Sequence, residues 1–303
     1  MDQEFISSEH ITMIMTALIV GTLARILTIK EDIRQYPSYP NGYMINLVTG
    51  FIASALGAVA IPALMTKNFI AVTFLTLAVQ QFRDVRKTER ESLKDLEKTE
   101  YTFRGDAYID GIAKTFEARN YFSLIVSFVT ALTMQLANTH SQILSILLGV
   151  FSGGISLFLL KRFSKGKTIG DIASVEKGKI DLKDSSLYVD GLFVTNLLGA
   201  EYASELFEKE GLAVVIKPNE DRFRVTLDHY GQRQAALFEA TRALGVKRYN
   251  FMRKDFVEGR VIITLVPLVH DLDRLIEVVK KTPLLESTRK NRDVLKTNLS
   301  GRE

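Results

Sequence analysis

Three carboxylates share one face of a predicted helix and are the clearest candidates for chemistry in this sequence. Asp106, Asp110 and Glu117 lie in the segment RGDAYIDGIAKTFEARNY, residues 104–121, and at about 100° per residue they fall within about 40° of one another. Paired carboxylates can perform acid–base or metal-assisted hydrolysis when burial separates their pKa values. If exposed, Asp106 and Asp110 repel each other at i,i+4, and a metal ion, a basic partner or a shared proton would offset that repulsion. A plain solvated face beside Lys114 is the simpler alternative.

The opposite face of the same helix is apolar. Tyr108, Ile109, Ile112 and Phe116 cluster on that side, so the segment is predicted to be an amphipathic helix leading into an apolar run. Its apolar face could lie on a bilayer or against other helices. Gly111 in the middle weakens the helix prediction, because glycine costs helix stability.

The composition excludes several other classes of site. The chain of 303 residues has no cysteine, which excludes disulfides, thiolate zinc sites, iron–sulfur ligation and a cysteine nucleophile. Its four histidines form neither HExxH nor a close pair, and the phosphate-binding and nucleophile-elbow motifs GxGxxG, GxxxxGK[ST] and GxSxG are absent. We therefore predict no metal site and no cofactor.

Long apolar runs occupy the first half of the chain. The sequence has a mean hydropathy of +0.09 although 24% of its residues are charged, so apolar and charged residues are segregated. The apolar runs predict about five membrane spans, at 11–29, 43–65, 69–82, 121–137 and 143–160. The third run reaches only about 21 Å, short of the roughly 30 Å hydrocarbon core, so it either crosses a thinned bilayer or forms a re-entrant hairpin with 43–65. Arg25 is the charge within these runs, and we expect it to snorkel to the nearer surface.

The distribution of basic residues predicts the orientation in the membrane. With the N-terminus outside, fifteen Lys and Arg residues fall in inside loops and only Lys67 falls outside. This predicts an N-out, C-in protein of the inner cell membrane. The net charge of +4 is then explained by cytoplasmic loops, so we predict the lipid bilayer as a partner and no nucleic acid.

The predicted domain layout follows from these patterns. Residues 1–160 form a membrane domain with a cytoplasmic insert at 83–120, residues 161–282 form a cytoplasmic α+β domain, and residues 283–303 form a flexible tail. Within the α+β domain, the predicted strands are 187–194, 213–217, 223–227 and 261–266, and the predicted helices are 201–210, 232–244 and 271–279. The order fits a ferredoxin-like βαββαβ fold.

One hexapeptide carries a family resemblance. Tyr108-Ile109-Asp110-Gly111-Ile112-Ala113 resembles the signature that names the YIEGIA family, with Asp110 where the name has Glu. The family comprises multi-span membrane proteins of endospore-forming Firmicutes that are usually linked to sporulation. The order of apolar hairpins, signature and C-terminal soluble part is also similar. The resemblance therefore implies a sporulation-associated role for this chain, with a forespore or spore membrane as the alternative location.

Two classes of function follow as hypotheses. The first is a regulatory or scaffolding membrane protein that docks a cytoplasmic protein partner on the acidic face or the soluble domain, with Arg104 as a partner-binding candidate; whether it forms a homo-oligomer stays open. The alternative is a membrane-bound hydrolase or peptidase that uses Asp110 with Asp106 or Glu117. A transporter is disfavoured because the predicted spans contain no acidic residue.

Overall fold

The computed structural model describes residues 8–32, 40–65, 69–82, 84–137, 141–183, 185–196 and 201–288. The chain divides into two compact units. The helical unit comprises Met1–Ser92 and Ile112–Lys165, and the C-terminal unit comprises Leu93–Gly111 and Gly166–Glu303. Residues 93–111 of the predicted insert therefore belong with the C-terminal unit.

Six helices precede the C-terminal sheets. They are α1 (Ser8–Asp32), α2 (Pro40–Met65), α3 (Phe69–Phe82), α4 (Val85–Glu97), α5 (Asp106–Ala137) and α6 (Gln142–Ser164). Among the described residues, α1, α2, α5 and α6 are long and apolar enough to cross a membrane. The 14-residue α3 is shorter. The number of spans, including the fifth predicted at 69–82, stays a prediction.

Small residues let three helices of the helical unit approach closely. A Cβ placed on Gly21 of α1 would lie 2.7 Å from Ser54 Oγ of α2 and 2.8 Å from Ser127 Cβ of α5. A Cβ on Gly57 would lie 2.3 Å from the Leu124 carbonyl oxygen. The Ser127 hydroxyl also donates to the Ser54 carbonyl at 2.7 Å. Close backbone approach and hydrogen bonds of this kind are how apolar helices associate in lipid.

A face of α6 with small residues packs inside the helical unit. Gly149 and Gly153 are the buried residues of this helix. Added Cβ atoms there would meet Met134 Cγ at 2.6 Å and Thr130 Oγ1 at 2.5 Å. The glycines therefore serve the packing of α6 on α5.

The snorkelling prediction for Arg25 is wrong. The side chain is 0% exposed, and its Nη2 donates to Asn46 Oδ1 at 2.5 Å. Its guanidinium carbon lies 5.2 Å from the Phe116 ring centroid. The absence of a side chain at Gly50 leaves room for the Arg25 methylene groups, which is why this long cation turns inward.

The C-terminal unit contains seven strands and four α-helices in its described part. In chain order they are β1 (Ala173–Lys177), β2 (Ile180–Lys183), β3 (Ser186–Val189), β4 (Leu192–Thr195), α7 (Glu201–Glu210), β5 (Leu212–Pro218), α8 (Arg224–Asp228), α9 (Tyr230–Leu244), β6 (Asn250–Lys254), β7 (Val261–Leu265) and α10 (Leu272–Lys281). One sheet has the order β1-β5-β7-β6 and the other β2-β3-β4.

The larger sheet is buried on both faces. Alternate residues of β5 enter different clusters, Val214 and Ile216 on one side and Ala213 and Val215 on the other. The first cluster includes α9 and α10, and the second includes Phe207 of α7 together with β3 and β4. The α+β class predicted for this part of the chain is therefore confirmed.

Two predicted strands are wrong. The stretch 187–194 is a β3–β4 hairpin, because Asp190 and Gly191 adopt φ values of 47° and 77°, the left-handed geometry of a tight hairpin turn. The stretch 223–227 is helical and ends in α8. Its buried residues Phe223, Thr226 and Leu227 have helical spacing, so they lie on one face.

The topology differs from the predicted ferredoxin-like order. The predicted βαββαβ order needs its four strands in one sheet, whereas β3 and β4 of the stretch 187–194 lie in the separate three-stranded sheet and 223–227 is helical. β1 and β2 were also missed. They are short, and β2 is only half-buried, so neither has a long apolar pattern.

The predicted tail begins too early. Residues 283–288 are held on the C-terminal unit: the Leu285 N–H donates to Gln232 Oε1 at 2.8 Å, and Gln232 Nε2 donates to the Pro283 carbonyl at 3.0 Å. Leu285 and Thr288 are buried. The rest of the predicted tail, 289–303, lies outside the described residues.

The signature and its candidate functional site

The signature hexapeptide lies in the first two turns of α5, and this helix contributes to both units. Asp106–Gly111 belongs to the C-terminal unit and the residues from Ile112 onward to the helical unit. Gly105, just before the helix, has a φ of +84°, a conformation that favours glycine. Its N–H donates to Glu97 Oε1 at 2.7 Å. The sharp turn into α5 is thereby fixed from the end of α4.

Tyr108 is bonded into the C-terminal unit. It is 3% exposed, and its phenolic hydroxyl donates to Glu239 Oε1 of α9 at 2.5 Å. The other carboxylate oxygen of Glu239 accepts from Arg242 Nη2 at 2.6 Å. The Tyr108 ring packs edge to face on Phe238, with 6.2 Å between ring centroids. The signature tyrosine is thus a structural contact between α5 and α9.

Arg104 supports the same contact. Its guanidinium carbon lies 4.5 Å from the Phe238 ring centroid, and its Nη2 donates to Glu100 Oε1 at 2.9 Å. The residue is buried, and its Nη1 has no hydrogen-bond partner within the described chain. The predicted partner-binding residue therefore presents almost no surface to a partner and instead holds Phe238 against Tyr108.

The residues before the signature are bonded to the same unit. Gln234 Nε2 donates to the Phe103 carbonyl at 2.5 Å, and Asn250 Nδ2 donates to Thr102 Oγ1 at 3.3 Å. The Tyr101 hydroxyl donates to the Arg248 carbonyl. We call residues 101–108 with Phe238 and Glu239 the signature anchor.

The acidic face has the predicted helical arrangement but no buried active-site geometry. The Asp106 side chain is 73% exposed and forms an ion pair with Lys94 Nζ at 2.7 Å. Asp110 and Glu117 are half-buried, and they belong to different units. Across the ranges given above, no group of three or more His, Asp or Glu side chains could hold a metal ion. Lys94 thus places a positive charge beside the first carboxylate of the acidic face.

The predicted apolar face of this helix is confirmed. Tyr108, Ile109, Ile112 and Phe116 are all buried, at 0–4% exposure, and so is Ala113. Gly111 is helical, and a Cβ there would meet only Leu285 Cδ2, at an ordinary 3.8 Å. Four of the six signature side chains, Tyr108, Ile109, Ile112 and Ala113, are thus core residues, and Asp110 carries the charge of the motif.

Sequence reasoning missed the residues that complete the anchor. Phe238, Glu239 and Arg242 lie in α9, and the Tyr108–Glu239 contact spans 131 residues of sequence. The helix 232–244 was predicted, but nothing in its own pattern distinguishes Glu239 from any other acidic residue on a helix surface.

Comparison with known proteins identifies the family. The family model described as "YIEGIA protein" matches residues 13–294. A relative from Bacillus subtilis (strain 168), "Uncharacterized protein YphB", is 35% identical over 287 residues, which cover 92% of this chain and 94% of the relative. No solved structure matches. The matched range includes the helices, the signature and both sheets, and the chain therefore belongs to the YIEGIA family.

Proposed function

We propose that this protein is an integral protein of the cell membrane with a regulatory or scaffolding role in sporulation, its N-terminus outside and its C-terminal unit in the cytoplasm. The four candidate spans support the membrane location, and the excess of basic residues in the predicted inside loops supports the orientation. This orientation requires that α3 either crosses the membrane as a fifth span or forms a re-entrant hairpin with α2. The family resemblance supports the sporulation role.

The observation that carries this proposal is the position of the signature. Its tyrosine is bonded to α9 of the C-terminal unit, and the helix that it begins continues as a candidate span. A regulator or scaffold needs a structural connection of this kind and no reacting groups. The alternative, a hydrolase or peptidase that uses paired carboxylates, needs both of them in one sheltered site, and the exposed, ion-paired Asp106 gives it no support.

The proposed docking site for a cytoplasmic protein partner is the acidic face around Asp106 and Asp110. Asp106 is exposed there beside Lys94, so an approaching basic group can exchange for the lysine at little cost, since surface ion pairs are weak. Asp110 lies one turn further along the same face, and its carboxylate is the signature's charged group.

Two substitutions of Asp110 test this role. Asp110→Glu keeps the charge and should preserve function, because the family name itself has Glu there. Asp110→Asn keeps the shape and removes the charge, so it should reduce spore yield and weaken partner co-purification from sporulating cells. Immunoblots of membrane fractions must show equal amounts of both variants. Normal sporulation and partner binding in the Asn variant would contradict the proposed docking role.

A further inference from the structure

One face of α5 in the helical unit is polar and fully buried. Asn120, Ser123, Ser127 and Thr130 are each 0% exposed. At 3.6 residues per turn these four positions lie within about 80° of one another, so they form one stripe. A stripe of this composition inside an apolar helix bundle has to satisfy its hydrogen bonds within the bundle.

Two of the four side chains in the stripe, Ser127 and Thr130, form hydrogen bonds with the protein. The Ser127 hydroxyl donates to the Ser54 carbonyl of α2 at 2.7 Å, and the Thr130 hydroxyl donates to the Val126 carbonyl at 2.8 Å. Ser54 itself donates to the Gly50 carbonyl at 2.9 Å. This half of the stripe therefore needs no ligand.

The other two side chains, Asn120 and Ser123, form no hydrogen bonds with the residues that the structure describes. Both polar atoms of the Asn120 carboxamide and the Ser123 hydroxyl are buried, and none has a hydrogen-bond partner in the described part of the chain. Asn120 and Ser123 are three residues apart, so their side chains are neighbours on the helix surface. An unpaired buried carboxamide is costly, and two adjacent unsatisfied groups point to a shared ligand.

The surroundings define where this ligand would lie. One turn before Asn120, Phe116 contacts the Arg25 guanidinium of α1. Three residues after Asn120, the backbone of α5 lies close to Gly21 of α1. A Cβ placed on Gly21 would lie 2.8 Å from the Ser123 carbonyl oxygen. Asn120 therefore faces α1 at a position between Arg25 and Gly21 along that helix.

The chemistry of the site selects a small neutral ligand that both donates and accepts. The carboxamide offers two donors and an acceptor, and the hydroxyl offers one donor and acceptor sites. The nearby Arg25 charge disfavours a cation. Glu89 already acts electrostatically on that guanidinium, which weakens its attraction for an anion. Water fits these requirements and occupies polar buried sites of this kind in many proteins.

We propose that Asn120 and Ser123 form a buried water-binding site between α1 and α5, in which ordered water bridges the carboxamide and the hydroxyl. The bridging water replaces hydrogen bonds that the helices cannot provide, so it is part of the packing of the helical unit. Ser127, whose hydroxyl is bonded directly to α2, lies outside the site.

Thermal unfolding of the full-length protein in detergent tests the site. If water bridges the two groups, Asn120→Leu and Ser123→Ala each lower the melting temperature, and the double variant loses less than the sum of the two single losses, because both remove the same bridge. Ser127→Ala is the matched control: it removes a bonded hydroxyl, lowers the melting temperature, and adds independently to Ser123→Ala. If Asn120→Leu and Ser123→Ala leave the melting temperature unchanged or raise it, the groups hold no ligand and the proposal fails.

A direct measurement separates water from a protein partner. In protein labelled with ¹⁵N at asparagine side chains, the resonance that Asn120→Leu removes should show a nuclear Overhauser effect to water, and Ser123→Ala should weaken it. A destabilised Asn120→Leu variant without that water contact in the wild type would mean that Asn120 bonds to protein, which overturns the proposal. Should Asn120→Leu fail to fold, Ser123→Ala with the water measurement decides alone.

Discussion

Tyr108 connects two helices that are far apart in sequence through a single charged hydrogen bond. Its hydroxyl donates to Glu239, which also accepts from Arg242, so the three side chains form a short chain of charge-assisted bonds. Tyr108→Phe keeps the ring packing on Phe238 and removes only this bond. We expect it to destabilise the C-terminal unit by about 2 kcal/mol. Urea titration of the full-length protein in detergent, read by pulse proteolysis, measures the change.

Tyr101 supplies the matched control for that experiment. Its hydroxyl donates to the Arg248 carbonyl, but the residue is 66% exposed, so water can replace the lost bond in Tyr101→Phe. We expect a loss below about 0.5 kcal/mol. Equal losses in the two variants would show that the buried position of Tyr108 is irrelevant to its contribution.

The titration of Glu89 makes the free energy of unfolding depend on pH. Burial raises the pKa of this α4 carboxyl from 4.5 to about 7, and the positive charge of Arg25 opposes the rise. Between about pH 4.5 and about pH 7 the folded protein keeps the proton that the unfolded chain releases, so the free energy of unfolding falls as pH rises through this window. We expect a fall on the order of 1–3 kcal/mol across it.

Glu89→Gln should remove this pH dependence of the free energy of unfolding, because the glutamine side chain does not titrate. Glu91→Gln, at an exposed position on the same helix, should retain it. Thermal melts of the three proteins across the window provide the test, and a slope that persists in Glu89→Gln would assign it to another group.

At the scale of elements, the sequence predicted what depends on local pattern. The helix 201–210 coincides with α7, and the amphipathic start of α5 buries the side that its spacing predicted. Stretch 187–194 was misread because its Asp-Gly turn was taken as strand, and 223–227 because five residues are too few to distinguish helical from strand spacing.

Long-range partners could not be predicted in the same way. The inward position of Arg25 depends on Asn46 and Phe116, and the anchor of Tyr108 depends on Glu239. Each partner lies on a different helix, and no local rule pairs residues of different helices. The helical spacing correctly placed the three carboxylates on one face of α5. The ion pair between Asp106 and Lys94, however, depends on the turn at Gly105, and a sequence pattern does not give the geometry of that turn.

The signature segment should stabilise the C-terminal unit when this unit is produced by itself. Gly111 lies beside Leu285, and the Leu284 N–H donates to the Lys167 carbonyl at 2.9 Å, so the ends at 111 and 166 can be joined by a short Gly/Ser linker. We expect 93–111 joined in this way to 166–288 to be soluble and to melt cooperatively. The fragment 166–288 alone should melt at a lower temperature, because it lacks the anchor contacts on Phe238.

A control keeps this comparison specific. The joined protein carrying Tyr108→Phe should melt between the two, since it retains the segment but not its buried hydrogen bond. If the fragment 166–288 is as stable as the joined protein, the signature anchor contributes nothing to the unit. Circular dichroism with a thermal ramp is sufficient for all three proteins.

For the whole molecule, the orientation across the membrane can be tested with introduced cysteines, since the chain has none of its own. Ser141, Ser92 and Ser185 are all exposed. Ser141→Cys should react with an impermeant maleimide in intact cells, whereas Ser92→Cys and Ser185→Cys should react only after permeabilisation. Labelling of Ser185→Cys in intact cells would reverse the proposed N-out, C-in arrangement.

The C-terminal unit is assembled from two separate stretches of chain, and this affects the order of events during synthesis. Residues 93–111 leave the ribosome first, but α9, which receives Tyr108, is translated only after the candidate spans of α5 and α6. Domains complete in the order in which their parts emerge. Tyr108 and Arg104 must therefore wait without their partners in α9 until translation passes that helix. A ribosome that stalls between α6 and α9 would leave Tyr108 and Arg104 without these partners, so synthesis through α9 is itself a condition for covering the signature tyrosine.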